Sequence, residues 1–438
     1  MIFQEISSMK KFGILCEIAI VSAVLFISAC GDGNSGEPDS DGDELSYSDG
    51  DSLESFDDPA DGDSSGVDGD YDGLDVVDGD NDAVESGDDV QPGDSDDGHE
   101  ESDGDEDDNG NEIGDGEADI TLSCDGITVD GTGAYADGSV VTVTDGGEYR
   151  ISGILCDGQL RVDTADTTIV RLIFAGVDIT CSNSAPLYVV QSEDVEIILE
   201  SDTENFLTDG SSYVFENSED TEPNAALFSK ADLKIKGSGS LKVNGNYNDG
   251  IASKDSLTIK DGTYIISARD DGIRGKDDVT IEGGFFTITA VGDGISSDNE
   301  EDAERGYISI SDGTFDIIAG GDGIAAQTDV IISGGDFSIN AGGGSNMTVS
   351  DTESAKGIKG NAGIAINGGV FTIDSADDCI HSNGDITIMG GTFSLSTPSG
   401  SGGGDQSQGG QDGIHSDTNL QIDGGDITIT KSYEGLEA

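Results

Sequence analysis

Carboxylates recur in this chain at a spacing that can do chemistry. Asp249, Asp271, Asp293, Asp322, Asp378 and Asp412 each open an acid–x–Ile step, where x is Gly everywhere except Cys379. Lys356-Gly357-Ile358 and Glu434-Gly435-Leu436 stand in register with them, and successive steps lie 22, 22, 29, 34, 22, 34 and 22 residues apart. Two steps are doubled, Asp270-Asp271 and Asp377-Asp378. If equivalent positions stack, carboxylates about 5 Å apart repel by about 1 kcal/mol even in water, and more beside an apolar core. Two arrangements relieve this, and the spacing leaves both open. Aspartates can accept hydrogen bonds from backbone amides at turns. Alternatively a cation bridges them, and Ca2+, which takes about six to eight oxygens, suits carboxylates of adjacent repeats. On the second reading the ligands are Asp249, Asp270, Asp271, Asp293, Asp322, Asp377, Asp378 and Asp412. Lys356 is a built-in cation between Asp322 and Asp378.

A further column lies just past each Ile: Ala252, Arg274, Ser296, Ala325, Lys359, His381, His415 and Glu437. Another lies beyond it: Lys254, Lys276, Asp298, Gln327, Asn361, Asn383 and Asp417. Both are polar enough to face solvent, so Arg, Lys and His line up beside the acids. His381 and His415 share a column on neighbouring repeats, either as surface histidines or as a metal-binding pair.

The elements that must position these side chains follow from the same repeat. An aliphatic–x–Ile step comes next, as in Val279-Thr280-Ile281 and Ile386-Thr387-Ile388. A Gly pair or Asp-Gly follows, and then an aromatic–x–Ile step such as Phe286-Thr287-Ile288 or Phe371-Thr372-Ile373. Alternation over three to five β-branched residues is strand periodicity, and Gly and Asp supply the corners. Three strands and three turns in 22 residues predict one coil of a parallel β-helix, with the Ile and Phe of each coil buried by its neighbours. Residues 119–247 carry the same chemistry without the tidy period, as expected of the first coils of the same solenoid. The chain stops at Ala438 one strand into a coil, which predicts a truncated solenoid.

Composition bounds the partners. The chain of 438 residues has 92 acids, 18 bases and a net charge of −74. Residues 31–118 hold 36 Asp and Glu and no Lys or Arg, while the rest beyond 118 holds 54 acids and 16 bases. Nucleic acid and anionic lipid headgroups are excluded as partners for so acidic a surface; cations, or anions bridged by cations, are not. Residues 30–118 are too poor in apolar surface to fold and read as a disordered acidic linker. Residues 1–29 read as a signal peptide ending Ile27-Ser28-Ala29-Cys30, a bacterial lipobox pattern that predicts lipidation of Cys30 and an exported, membrane-tethered protein at the cell surface. Export allows a disulfide among Cys124, Cys156 and Cys181, whose pairing the sequence leaves open, while Cys379 is expected to be free. No protein partner is implied. No Ser-His-Asp set, phosphate loop or dinucleotide fingerprint is present.

The segments Asp271-Gly272-Ile273-Arg274-Gly275-Lys276-Asp277, Lys356-Gly357-Ile358-Lys359, Asp377-Asp378-Cys379-Ile380-His381-Ser382-Asn383-Gly384, Gln411-Asp412-Gly413-Ile414-His415-Ser416-Asp417 and Ser432-Tyr433-Glu434-Gly435-Leu436 carry a resemblance. Together with matches in the front half, they make residues 120–438 similar to a family of exported, calcium-binding, carbohydrate-binding β-helix proteins, which bind cellulose-type and pectic polymers and are akin to a class of pectate lyases. The resemblance implies an all-β, right-handed parallel β-helix over 119–438, with three strands and about 22 residues per coil. It implies calcium-dependent binding of an acidic or plant-type polysaccharide, with Arg274, Lys276, Lys359, His381, His415 and Tyr433 as carbohydrate contacts. If the protein were instead a lyase, Lys276, Lys356 or Lys359 would be the base; a purely adhesive surface protein is the third class.

Overall fold

The computed structural model describes residues 114–215, 217, 219–347, 349, 354–398 and 410–438. The signal segment 1–29, Cys30 and the acidic segment as far as 113 lie outside the described residues. Each repeat makes three short strands, as in Asp249–Ser253, Ser256–Ile259 and Thr263–Ala268, followed by Ile273–Gly275, Asp278–Ile281 and Phe285–Ala290. Equivalent strands of successive repeats pair in parallel. Ile251, Ile273, Ile295, Ile324, Ile358, Ile380, Ile414 and Leu436 therefore stand in one line, so the longer spacings are loops that leave the register intact. The first-strand ladder is a 13-stranded sheet. The other two ladders merge into a 22-stranded sheet at the long front strands Gly147–Leu155 and Val170–Cys181. Apart from the antiparallel pairs at its N-terminal end, the stretch 116–247 thus forms coils of the same parallel β-helix, and no described residue is helical.

Burial alternates with a period of two along the strands, and the inward residues form one continuous core. In that core Tyr264, Phe286, Phe315, Phe337, Phe371 and Phe393 stack with ring centroids 4.7–4.9 Å apart and planes within 9° of parallel. The spacing is that of adjacent strands, so the coil rise itself sets the stack. Each fully buried ring contributes roughly 1.5–3 kcal/mol by area. The Gly corner ahead of each ring is dictated by that ring. Gly313 has φ 135°, and a Cβ there would lie 2.8 Å from the Phe315 ring.

The Gly of the acid–Gly–Ile step has a separate cause. A Cβ at Gly272, Gly294, Gly323 or Gly357 would lie 2.3–2.5 Å from Cγ2 of Ile288, Ile317, Ile339 or Ile373. Cys379 occupies this column, fully buried, in the one such coil whose third strand carries Leu395 in place of Ile. Leucine has no branch at Cβ, which leaves space for the thiol.

The N-terminal end is closed by antiparallel pairs, Gly116–Ser123 with Gly126–Gly131 and Ala134–Asp137 with Val140–Val143. They cover a sheet end that would otherwise present unpaired strands. The expected start of the β-helix at 119 falls inside the first of these strands, where Ala118, Ile120 and Leu122 point inward between Glu117, Asp119 and Thr121. A Cys124–Cys156 disulfide ties this cap to the following coil, and Cys181 and Cys379 are free and buried.

Candidate functional site

The acid column runs along the edge of the 13-stranded sheet, and its two carboxylate oxygens do separate jobs. Oδ1 reaches the next coil and accepts its backbone N–H. Asp249 accepts from Asp271 at 3.3 Å, Asp271 from Asp293 at 2.8 Å, and Asp293 from Asp322 at 2.7 Å. Asp322 accepts from Lys356 at 2.7 Å, Asp378 from Asp412 at 2.6 Å, and Asp412 from Glu434 at 2.8 Å. Backbone bonding at turns, one of the two arrangements the spacing allowed, thus accounts for half of each carboxylate. These bonds hold every Oδ2 in the same place on each coil.

Oδ2 meets the column just past the Ile, and there the coils differ. Asp249 Oδ2 accepts from Arg274 Nε and Nη2 at 2.9 and 2.7 Å. Asp322 Oδ2 lies 3.3 Å from Lys359 Nζ. Asp271 Oδ2 receives only the Ser296 hydroxyl at 2.7 Å, and the residue corresponding for Asp293 is Ala325, which has no polar group to offer. Asp378 and Asp412 face His381 Nδ1 at 2.8 Å and His415 Nδ1 at 3.3 Å. Lys356, expected as a cation between Asp322 and Asp378, instead sets its ammonium on Asp377, while its backbone N–H goes to Asp322. Asp270 is exposed.

Burial pushes the carboxyls of Asp249, Asp271, Asp293 and Asp412 upward. Asp249 rises to about 7 because burial, joined by the Asp271 and Asp270 charges, outweighs the Arg274 guanidinium. Asp271 is raised by burial against the Asp293 amide and Ser296 hydroxyl that hold its charge. Asp293 is raised by burial and then by the charges of Asp322 and Asp271. Asp271 and Asp293 are the column aspartates that meet no guanidinium, ammonium or imidazole at Oδ2 among the described residues, although Arg274 and Lys359 act on them from farther away. The stretch they form with Asp270 is also cleared of side chains. A Cβ at Gly292 would lie 2.5 Å from Asp270 Oδ1 and 2.7 Å from Asp271 Oδ1, and one at Gly321 would lie 2.3 Å from Asp293 Oδ1. The oxygens are of the kind Ca2+ takes. Among the described residues, however, the groups of three or more acids and histidines whose ligand atoms lie within 4.8 Å of one another are Asp378 with His381 and His415, and Asp412 with His415 and Glu437. Asp270, Asp271 and Asp293 are thus not assembled into one site. Asp249, Asp322 and Asp377 already carry Arg274, Lys359 and Lys356.

The column past the Ile is longer than its repeat. Pairing continues it forward from Ala252 to Phe228, Tyr188, Arg161 and Thr142. Arg161 and Lys230 each lie 6.0 Å from the Tyr188 ring centroid, within cation–π range. Lys230 and Lys254 also share Glu222 at 3.2 and 2.8 Å. Beside them Tyr213 and Tyr247 stack at 4.2 Å. Sequence reading named none of these as site residues. The signal was present in Leu160-Arg161-Val162 and Leu187-Tyr188-Val189, whose middle residues point outward, but without Gly marks the column could not be followed past Ala252. Lys276 lies 3.5 Å from Glu301, and Tyr433 is a partly exposed side chain at the far end of the face.

The carbohydrate-binding domain-containing protein family matches residues 137–404. A carbohydrate-binding domain-containing protein of Acetivibrio thermocellus is 38% identical over 156 residues, 35% of this chain and 54% of that protein, so the chain spans about half the length of the curated relative it matches. The solved structure of the polysaccharide lyase-like protein from C. thermocellum, a gadolinium derivative, is 31% identical, covers 62% of this chain and 96% of its own, and has a TM-score of 0.49. With the greater part of its parallel β-helix matched, the chain belongs to the carbohydrate-binding domain-containing protein family.

Proposed function

We propose that the outward face of the 13-stranded sheet binds an acidic polysaccharide lengthwise, with calcium joining polymer carboxylates to Asp270, Asp271 and Asp293. The observation that carries this reading is the column from Arg161 and Tyr188, across the buried Phe228 and Ala252, to Arg274, Ser296, Ala325, Lys359, His381 and His415. A straight row that carries outward polar or aromatic side chains at its two ends and its middle, with gaps at Phe228, Ala252 and Ala325, suits a linear polymer better than a compact ligand. The acidic surface would repel a polyuronate unless divalent ions stood between them. Arg274 and Lys359, already fixed on the column, flank the open step and offer direct partners to sugar carboxylates and hydroxyls. Lipidation at Cys30 would tether the protein to a bacterial membrane, with the acidic segment as spacer to the cell surface.

Binding is favoured over cleavage. A lysine base needs a free amine, and Lys276, Lys356 and Lys359 each face a carboxylate: Glu301, Asp377 and Asp322. Titration of the protein with polygalacturonate, with and without a chelator, tests the reading. Binding that vanishes with the chelator is expected. Binding indifferent to the chelator removes calcium, absence of binding removes the polyuronate, and rising absorbance from unsaturated products would make the protein a lyase.

A further inference from the structure

The far end of the same column is built from different chemistry. Strand Ile380–Ser382 pairs in parallel with Ile414–Ser416, which sets His381 beside His415 with ring centroids 4.9 Å apart. Each histidine stands three residues after a column aspartate, so each coil presents the same Asp–x–x–His unit. Asp378 and Asp412 are buried, and their Oδ1 atoms are tied to the next coil's amides. Their Oδ2 atoms are therefore delivered to the imidazoles by the backbone.

We propose that this end holds one borderline divalent metal ion, of the zinc class, on Asp378, His381 and His415. One ligand atom from each lies within 4.8 Å of the others, and Asp412, His415 and Glu437 form an overlapping group of the same span. His381 has a partner at each ring nitrogen, Asp378 Oδ2 at 2.8 Å and Asn383 Oδ1 at 3.1 Å, but hydrogen bonding leaves the His415 side of the cluster short of donors. His415 Nδ1 faces Asp412 Oδ2 at 3.3 Å and Glu437 Oε2 at 3.6 Å, while its Nε2 faces Asp417 Oδ1 at 3.1 Å. Three carboxylates thus surround a ring that has at most a pair of protons to give, whereas a metal ion neutralises several acids at once. Asp412 and Glu437 lie beside the ligands as compensating charge, in the place where outer-shell carboxylates orient metal-bound histidines. Because His415 belongs to both groups, one ion occupies the cluster.

Ligand type sets the selectivity. Imidazole nitrogen suits zinc, copper and nickel, while calcium takes oxygens. The column would then hold hard ions at the Asp270–Asp293 step and a borderline ion at its histidine end. Three protein ligands leave positions on the ion open to water or to an oxygen from outside, as in sites that bind an exogenous group. This assignment does not depend on polysaccharide binding.

Titration of the full chain with Co2+, read by its visible absorption, tests it, with a His381→Gln/His415→Gln double variant in parallel. The acidic N-terminal segment is in both proteins and cancels in the difference. The wild type should take up one more equivalent than the variant, develop a visible band that Zn2+ abolishes, and keep that band in millimolar Ca2+. Equal uptake without a band, or displacement of cobalt by calcium, would overturn the proposal. If the double variant fails to fold by circular dichroism, Asp378→Asn replaces it. It keeps an Oδ1 acceptor for the Asp412 amide, and an unweakened band in that variant would equally overturn the site.

Discussion

The step at Asp249 and the steps at Asp271 and Asp293 occupy one column, share one backbone geometry and differ in how their charge is met. Asp249 carries a guanidinium on its free oxygen; Asp271 carries a serine hydroxyl, and Asp293 faces an alanine position. A fold that needed only internal neutralisation could have repeated Arg274 on each coil. That it leaves the middle of the column open, beneath glycines, marks that stretch as a place for an ion from solution. Stability and ligand binding should therefore separate along the column.

The largest effect should come from breaking the internally paired step. Arg274→Ala leaves Asp249 buried without its cation and should destabilise by about 3–5 kcal/mol near pH 8, whereas Ser296→Ala should cost about 1 kcal/mol. The Arg274 deficit should shrink at pH 5, where Asp249 can take a proton. Urea unfolding of both variants at both pH values measures this, and equal losses would erase the distinction between the steps.

A change that involves no charge provides the control. Leu395→Ile should restore the Cβ branch that the other coils place against glycine and press it on Cys379, at a cost of about 1–3 kcal/mol. Adding Cys379→Gly should recover most of that loss. Neither variant should alter calcium response.

The third effect is on pH dependence. Asp249, Asp271 and Asp293 have carboxyls raised above their ordinary values, so the folded protein holds protons that the unfolded chain has released. Their contribution is fully present below about pH 4 and is lost as pH rises through about 7. Without metal, Tm should fall by on the order of 5 °C between pH 5 and pH 8. Millimolar calcium should restore it at pH 8 and change little at pH 5. A Tm that climbs with pH in chelator would contradict the assignment of open charge.

The smallest effect isolates one open carboxylate. Asp293→Asn keeps an oxygen for the Asp322 amide and removes the charge. It should stabilise the metal-free protein by about 1 kcal/mol at pH 8, have no effect at pH 5, and weaken calcium's contribution to Tm. A loss of stability at pH 8 would mean that the charge is compensated from within.

Much of this column was legible before any coordinates. The acid–Gly–Ile and Gly–Gly marks carry the register because each has a steric cause: one glycine clears an Ile methyl and the other turns the chain ahead of a Phe ring. The loops of the longer steps did not hide it, since parallel pairing depends only on the strands. Other features were hidden for physical reasons. Which carboxylate oxygen meets an amide and which meets a side chain depends on turn geometry that a one-letter sequence does not carry. Arg161 and Tyr188 lie in coils whose corners lack glycine marks, so their alignment with Arg274 emerges only from strand pairing. The first strand, Gly116–Ser123, begins within acidic composition, and only the alternation of Ala118, Ile120 and Leu122 betrays it. The Cys124–Cys156 pairing is set by a cap that the repeat does not describe.

The central claim, that an open acidic step joins polyuronate to the β-helix through calcium, is tested most directly by isothermal titration of polygalacturonate into three proteins at pH 8 with calcium and with chelator: wild type, an Asp271→Asn/Asp293→Asn double variant, and Leu395→Ile as a folded control. The account predicts heat of binding for wild type and the Leu395 variant in calcium only, and none for the double variant in either condition. Undiminished binding by the double variant in calcium, or binding by the wild type in chelator, would contradict it.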